Sequence, residues 1–479
     1  MKLKNELGII AQNYTELQSL HILQESRERY PLLKASPEST ARAIFQAAEI
    51  TILNLVDLTK RASTDIKFGM INSAMVKMSW ALGFHKLLSC ISTFPHKLPN
   101  VFEEDSVQST LCIHKSPAFS EYINTLKEFD RNVLHQIEIG NLQIESCLAN
   151  HSLDIPELRL LHLTRICNHE ATLWERNLGA VSISTQIPSY EVFIAADDIR
   201  RAVYDIVLKG DTFFTQFRGL HQVPEILGEE VNDHIEAAIR SIRSNRLPQA
   251  VELLSLANLL CEGIFAALSP MVDNLVTSDY HQIRENLGLT SGSHSVSLRY
   301  HMFKELYEQL WKALSIQITD FPNQEERENA LKEAIHQVNR TRFHDSRSWV
   351  VYLLLNECLK LRTFIFQWRD THIHLPRNEL GGNSVRSLTG SPDAIVKAQQ
   401  MKDSAWHKDS MKTLAEVRGI SKQLEDTPLS TYFKSASSLD SQILIATGKI
   451  TQSRFKQVQE RTGIFAERCP FSPPPPRKV

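Results

Sequence analysis

The sequence predicts an all-α protein, and three observations carry that expectation. There are 17 glycines in 479 residues. Alternating β-branched runs are few, and apolar positions recur at the helical period over long stretches. With 42% hydrophobic and 23% charged residues, the composition is that of an ordinary globular chain. The length suffices for two or three domains, each with its own core.

In chain order, residues 1 to about 92 read as helices, including 39–62 with Ser39 or Thr40 as N-cap. The stretch 93–118 is polar and broken by prolines, as a surface excursion would be. Helical patterns resume from 119 to 179, and Gly179 with the segment 180–189 then interrupts them. That interruption divides the chain into a helical N-terminal region, 1–185, and a second helical domain, 186–465. Beyond it, helices are expected near 194–209, 212–243, 248–276, 278–287, 294–318, 324–339 and 347–374. A Gly-rich loop at 379–392 precedes helices near 393–426 and 438–462, and residues 466–479 form a Pro-rich, disordered tail. No internal repeat at a fixed period is visible.

The charge balance is nearly even, 53 basic against 55 acidic residues for a net charge of -2. This excludes the electrostatic footprint of a nucleic-acid or membrane-surface binder. No stretch reaches the ~18 consecutive apolar residues of a membrane span, and the N-terminus lacks the pattern of a signal peptide. The 7 cysteines are scattered without a CxxC pair, which suits reduced thiols and a cytoplasmic location. Zinc spacings are absent, and so is the CxxCH motif of a covalently attached haem.

Four clusters carry chemistry. In the first, Phe217, His221 and Glu225 fall on one helical face, with Pro224 inside the same run. In the second, Tyr280, Ile283, Arg284 and Leu287 combine an apolar face with a guanidinium able to fork a carboxylate. The third, Thr290-Ser291-Gly292-Ser293-His294-Ser295, is a loop of hydroxyls and amides. The fourth carries Trp368, Arg369 and His372 near the end of an apolar helix, followed by the loop that contains Thr389. Trp368 and His372 share a helix face, and one inward histidine there suits a single axial ligand to haem iron. Each cluster alone also fits a bland reading: a packed core histidine, a surface ion pair, or a Ser/Gly turn.

Taken in order, F-x-x-x-H-Q, then Y-x-x-x-R-x-x-L-G-x-x-S-G-x-x-S, then W-R-x-x-H with a Gly/Thr loop resembles the tryptophan 2,3-dioxygenase family over roughly residues 186–400. That family belongs to the haem-dependent aromatic oxygenases, with the indoleamine dioxygenases. Tyr190-Glu-Val-Phe193-Ile194 stands where the family carries Y-x-x-Y-L. The resemblance implies a helical-bundle haem domain binding haem b, with an extra helical N-terminal region of unassigned role. It makes His372 the proximal iron ligand, Trp368 its lead-in, and Ser291 and Gly292 neighbours of the distal haem face. His221 becomes the distal catalytic histidine and Phe217 a stacking partner of the substrate ring. Arg284 holds the substrate carboxylate, Tyr280, Ile283 and Leu287 line the pocket, and Thr389 stands in for the threonine of the family's GTGG loop. Tyr190 and Phe193 are expected to reach the pocket of a neighbouring subunit in a homo-oligomer, a dimer or tetramer.

The activity implied is oxygenation of an aromatic amino acid, tryptophan or a substituted indole, by O2. The sequence departs from the family at Ile283, at Ser293-His294, at Phe193 and in the late Thr389 loop, so the aromatic pocket is remodelled while the carboxylate clamp is kept. Two other readings stand beside it: a haem monooxygenase or ring-rearranging enzyme acting on a modified aromatic amino acid, and a haem-binding sensor or scaffold without turnover. A second stretch, Phe45-Gln46 with Glu49, matches the distal helix in outline but lacks its histidine and lies at the wrong spacing.

Overall fold

A computed structural model describes residues 19–29, 31–98, 109–139, 156–177, 180–183, 189–205, 213–275, 279–280, 283, 292–319, 324–342, 345–379 and 413–414. The described chain is predominantly helical, as the sequence predicts. Its helices are α1 (Leu20–Arg29), α2 (Pro37–Lys67), α3 (Ile71–Ile91), α4 (Pro117–Glu138), α5 (Pro156–Asn177), α6 (Tyr190–Ile194) and α7 (Ala196–Tyr204). They continue with α8 (Phe214–Arg243), α9 (Leu247–Ala266), α10 (Ser269–Asn274), α11 (Gly292–Thr319), α12 (Gln324–Thr341) and α13 (Ser346–Glu379). Two short strands, β1 (Ser109–Cys112) and β2 (Ala180–Ile183), pair antiparallel with Cys112 opposite Ala180. They tie the expected surface excursion to the expected domain boundary. The Gly-rich loop 379–392, nearly all of the helices expected near 393–426 and 438–462, and the tail lie outside the described residues.

Local chemistry explains the best-formed ends. The sequence suggested Ser39 or Thr40 as the cap of the first long helix, but α2 starts earlier, at Pro37. Ser36 is its N-cap: the Ser36 side chain accepts from the Ser39 amide and the Ser39 hydroxyl accepts from the Ser36 amide, a closed capping box. Pro37 occupies the first helical position, where its missing N–H costs nothing. The start of α4 repeats this logic, with Ser116 accepting from the Phe119 amide and Pro117 next in line. Helix α8 runs unbroken through Pro224.

An internal repeat organises the packing, which corrects the expectation of none. One constant register shift carries α1 onto α7, α2 onto α8, α3 onto α9, and α4 onto the first part of α11. The same shift joins the left-handed residues at the junctions: Ser19 (φ 53) before α1 with Ala195 (φ 55) before α7, and Gly69 (φ 72) after α2 with Asn245 (φ 57) after α8. Packing partners repeat too. Helix α2 packs on α3 and α4 and α3 packs on α5, just as α8 packs on α9 and α11 and α9 packs on α13. Helix α12 is an addition to the second half, lying between α11 and α13.

The halves meet as two subunits of a twofold dimer would, with one patch used twice. Helices α2 and α8 cross antiparallel. The Ser39 and Thr40 hydroxyls at the start of α2 donate to Glu230 on α8 at 2.6 and 3.0 Å. In turn Gln216 at the start of α8 donates to Asp57 on α2 at 2.8 Å. Thr40 corresponds to Gln216, and Asp57 to Asp233 beside Glu230. Gly219 is glycine because the helices approach so closely there that a Cβ would collide with the Asn54 amide. Helices α1 and α7 meet at the same axis, where Arg29 pairs with Asp198 at 3.1 Å and Ser19 donates to Asp205 at 3.1 Å.

Residues 1–410 form one compact unit, so the boundary expected at 180–189 lies inside it, at the junction of the repeats. Residues 411–479 form a second unit, of which only 413–414 are described. The stretch Leu247–Asn274 is apolar enough by composition to pass for a membrane span, with a mean hydropathy of 1.7. Here it is α9 and α10, packed against α8, α3 and α13.

Candidate functional site

The histidine singled out in the sequence lies in the second central helix. His221 and Phe217, one turn apart on α8, are both buried, and their rings meet at 4.2 Å between centroids with a 40° tilt. His221 Nδ1 lies 2.7 Å from the Phe217 carbonyl. A carbonyl only accepts, so this contact puts a ring proton on Nδ1. The helix thereby fixes both the tautomer and the plane of the imidazole. Gln222 donates to the Ala202 carbonyl at 3.0 Å, and buried Arg218 donates to the Val203 carbonyl, so α8 is locked to α7 on both sides of His221.

Tyr190 and Phe193 lie elsewhere, on α6, which packs against the central helix α2 of the first half. Tyr190 packs edge-on against Phe45 at 5.7 Å, and the Arg42 guanidinium sits over the Phe193 ring at 5.7 Å. Gln46 donates to the Ile194 carbonyl at 3.0 Å, which closes α6 onto α2. Phe45, Gln46 and Glu49 are the stretch set aside in the sequence. They are the positional equivalents of His221, Gln222 and Glu225, and Arg42 is that of Arg218. Both central helices therefore carry R-x-x-[FH]-Q-x-x-E-I.

Among the remaining expected residues, Ile283 is buried and Tyr280 half-buried. Gly292 opens α11, which packs on α8. Trp368 is buried on α13, and position 372 belongs to the same continuous helix, which packs on α9. Arg284, Leu287, Ser291 and Thr389 lie outside the described residues, as does the side chain of His372.

Sequence reading missed the acidic centre of the first half. Glu49 is buried on α2 with Ser116 donating to it at 2.5 Å. Burial pushes its carboxyl up to about 7, against the pull of the Ser116 hydroxyl and of Arg200. Nearby in the same half, His85 and Tyr122 share a buried contact of 2.5 Å, and burial pushes the His85 imidazole down to about 3. The signal that locates this centre in the sequence is the repeated Gln-x-x-Glu itself.

Glu49 makes a pH prediction. Its folded-state value lies above the unfolded value of 4.5, so between 4.5 and about 7 the folded chain holds a proton that the unfolded chain has lost. Stability from this group therefore falls as pH rises through that window, by about 1.4 kcal/mol per pH unit at most. His85, and His234, whose imidazole burial lowers to about 4, act the opposite way and lose stability as pH falls below 6.5. Glu49→Gln is expected to be more stable relative to wild type at pH 8 than at pH 5. Urea unfolding at the two pH values measures this, and an equal difference at both would refute it.

Among the described residues no group of three or more His, Cys, Asp and Glu side chains could hold a metal ion. No protein-family model matches the chain, and no curated protein matches it. The fold defines the class to which the protein belongs: an all-α protein in which two helical modules pack about an internal twofold.

Proposed function

We propose that the protein is a haem-dependent oxygenase that uses O2 on an aromatic amino acid, tryptophan or a substituted indole. The observation that carries this reading is the buried Phe217–His221 pair, with the imidazole tautomer fixed by the main chain, inside the ordered set of motifs that resembles the tryptophan dioxygenases. His372, a position within the continuous helix α13, would hold haem b through one imidazole. The bound haem supplies the O2 chemistry. The chain's own residues bind and orient the substrate. Arg284 forks its carboxylate, Phe217 stacks on its ring, and His221 orients the substrate or O2 by a hydrogen bond. Tyr280, Ile283, Leu287, Ser291, Gly292 and Thr389 shape the pocket and its haem side. Product mass separates a dioxygenase, with two oxygen atoms added, from a monooxygenase. The remodelling at Ile283 and Ser293-His294 favours a substrate other than plain tryptophan. A cytoplasmic, homo-oligomeric enzyme belongs to the same reading.

The test is an absorption spectrum of the ferrous protein, expressed with haem supply, titrated with L-tryptophan and indole-substituted analogues. A Soret band that one of these amino acids shifts in wild type, and no longer shifts in Arg284→Ala, supports the reading. A protein that takes up no haem sinks it. A Soret band that none of them shifts leaves a haem protein without this substrate class.

A further inference from the structure

Three helices converge beside His221. The α2–α8 crossing is tight where a Cβ on Gly219 would collide with Asn54, just before His221 in the chain. Helix α7 ends at the same place. The Tyr204 hydroxyl in its last turn donates to the Leu53 carbonyl of α2 at 3.0 Å, next to Asn54. The Ala202 and Val203 carbonyls belong to the end of α7 that has no acceptors' partners within the helix itself, and they accept from Gln222 and Arg218 of α8. Arg218 is fully buried there. The C-terminal end of the α7 dipole and the Asp205 carboxylate both favour its charge.

Gln222 and Arg218 stand one turn apart and share a face of α8, so together they set how far that helix is turned about its axis. His221 lies between them in sequence. At about 6 Å from the axis, the outer radius of a helix with its side chains, a turn of about 10° moves the ring by about 1 Å. A misplacement of about 1 Å can cost on the order of 100-fold in rate. The first half shows that this arrangement accompanies the histidine. There the equivalent of Tyr204 is Glu28, exposed on α1, and the equivalent of His221 is Phe45. Gln46 and Arg42, the equivalents of Gln222 and Arg218, turn to Ile194 and Phe193 of α6.

We infer that Tyr204 is a positioning residue for His221: it ties the end of α7 to α2, and α7 holds α8 at the rotation that sets the imidazole in place. The rest of α7 has other ties. Arg200 pairs with Glu121 of α4 at 2.8 Å, and the left-handed Ala195 joins α7 to α6, which Gln46 holds on α2. Loss of the Tyr204 hydroxyl therefore relaxes one end of α7 without releasing the helix.

The test uses the full chain labelled at its histidine nitrogens, with the His221 signal in the NMR spectrum identified by its loss in His221→Gln. In Tyr204→Phe the Nδ1 proton of His221 is expected to shift and to exchange with water several-fold faster than in wild type. Tyr122→Phe removes a different buried hydroxyl contact, that with His85, and is expected to leave the His221 signal unchanged. An unchanged signal in Tyr204→Phe overturns the inference, and so does an equal change in both variants. The consequence for turnover rests on the proposed oxygenase: in Tyr204→Phe, kcat is expected to fall by about 10-fold or more at nearly constant KM. A change in KM alone overturns the positioning role. A His221 shift in a protein that oxygenates no aromatic amino acid upholds the placement and removes the oxygenase.

Discussion

His372→Ala is expected to abolish the Soret band of the haem-loaded protein, while His221→Ala is expected to keep it and change only its response to substrate. That is the result expected if one imidazole from α13 holds the haem. The size follows from what such a ligand does. Loss of an outer-shell partner already costs about 10–100-fold in affinity for a bound metal, and loss of the single protein ligand is expected to cost more. Haem titration of the two variants, followed by absorption, measures it. The comparison is informative because the histidines sit in different helices with different partners. His221 is tied to the main chain of α8 through Nδ1, and α13 packs on α9. Equal retention of haem in both variants would remove His372 from the iron and with it the proposed assignment. Loss of haem in His221→Ala alone would exchange the roles of the two histidines.

Glu230→Ala is expected to destabilise the protein by about 3–5 kcal/mol, the usual cost of removing one partner from a buried charged cluster. Glu230 is 1% exposed and joins three elements. It accepts from Ser39 and Thr40 of α2 and from Arg27 of α1 at 3.2 Å, and lies 3.4 Å from His234 on its own helix. Truncation leaves the Ser39 and Thr40 hydroxyls with the Ser36 carbonyl in place of a carboxylate acceptor, and leaves the Arg27 guanidinium with Glu229 and Asp233 as its counterions among the described residues. Lys34 on Asp233 adds little, because it is largely exposed. Glu230→Gln is expected to cost much less than alanine, since the amide oxygen still accepts from Ser39 and Thr40. Burial also raises the Glu230 carboxyl above the ordinary range, against the pull of Ser39, Arg27 and Thr40. The sign follows: the folded chain holds this proton to higher pH than the unfolded chain, so the advantage of glutamine grows as pH rises above the ordinary glutamate value. Thermal unfolding reads the difference, on the order of 10 °C for alanine. Equal melting temperatures for wild type and Glu230→Ala would show that the Glu230 cluster adds nothing measurable to the α2–α8 crossing.

The contrast between the two central helices explains what the sequence could and could not reveal. The helices themselves are local objects. Ser36-Pro37 and Ser116-Pro117 start them by caps that three or four residues define. The placement of Phe217 and His221 on one face follows from a period of 3.6. The repeat was not legible in the same way. Equivalent positions share few residues beyond Arg42/Arg218, Gln46/Gln222, Glu49/Glu225 and Asp57/Asp233, and the second half carries an added α12. Packing preserves a helix face and its length more readily than its residues, because many apolar side chains fill the same space. Phe45 took the place of His221 and hid the match.

By itself the sequence determined the helical class and most of the described helix positions. Only the tertiary structure decided that the chain is two modules about one axis, that Glu49 and Ser116 form a buried pair, and that Tyr190 rests on Phe45. The physical reason is range. Caps, periods and turn residues act over a few positions, where the chain itself fixes the geometry. Which faces meet across α2 and α8 is set by close approach at Gly219 and by buried pairs such as Thr40 with Glu230, contacts between residues that no local pattern connects.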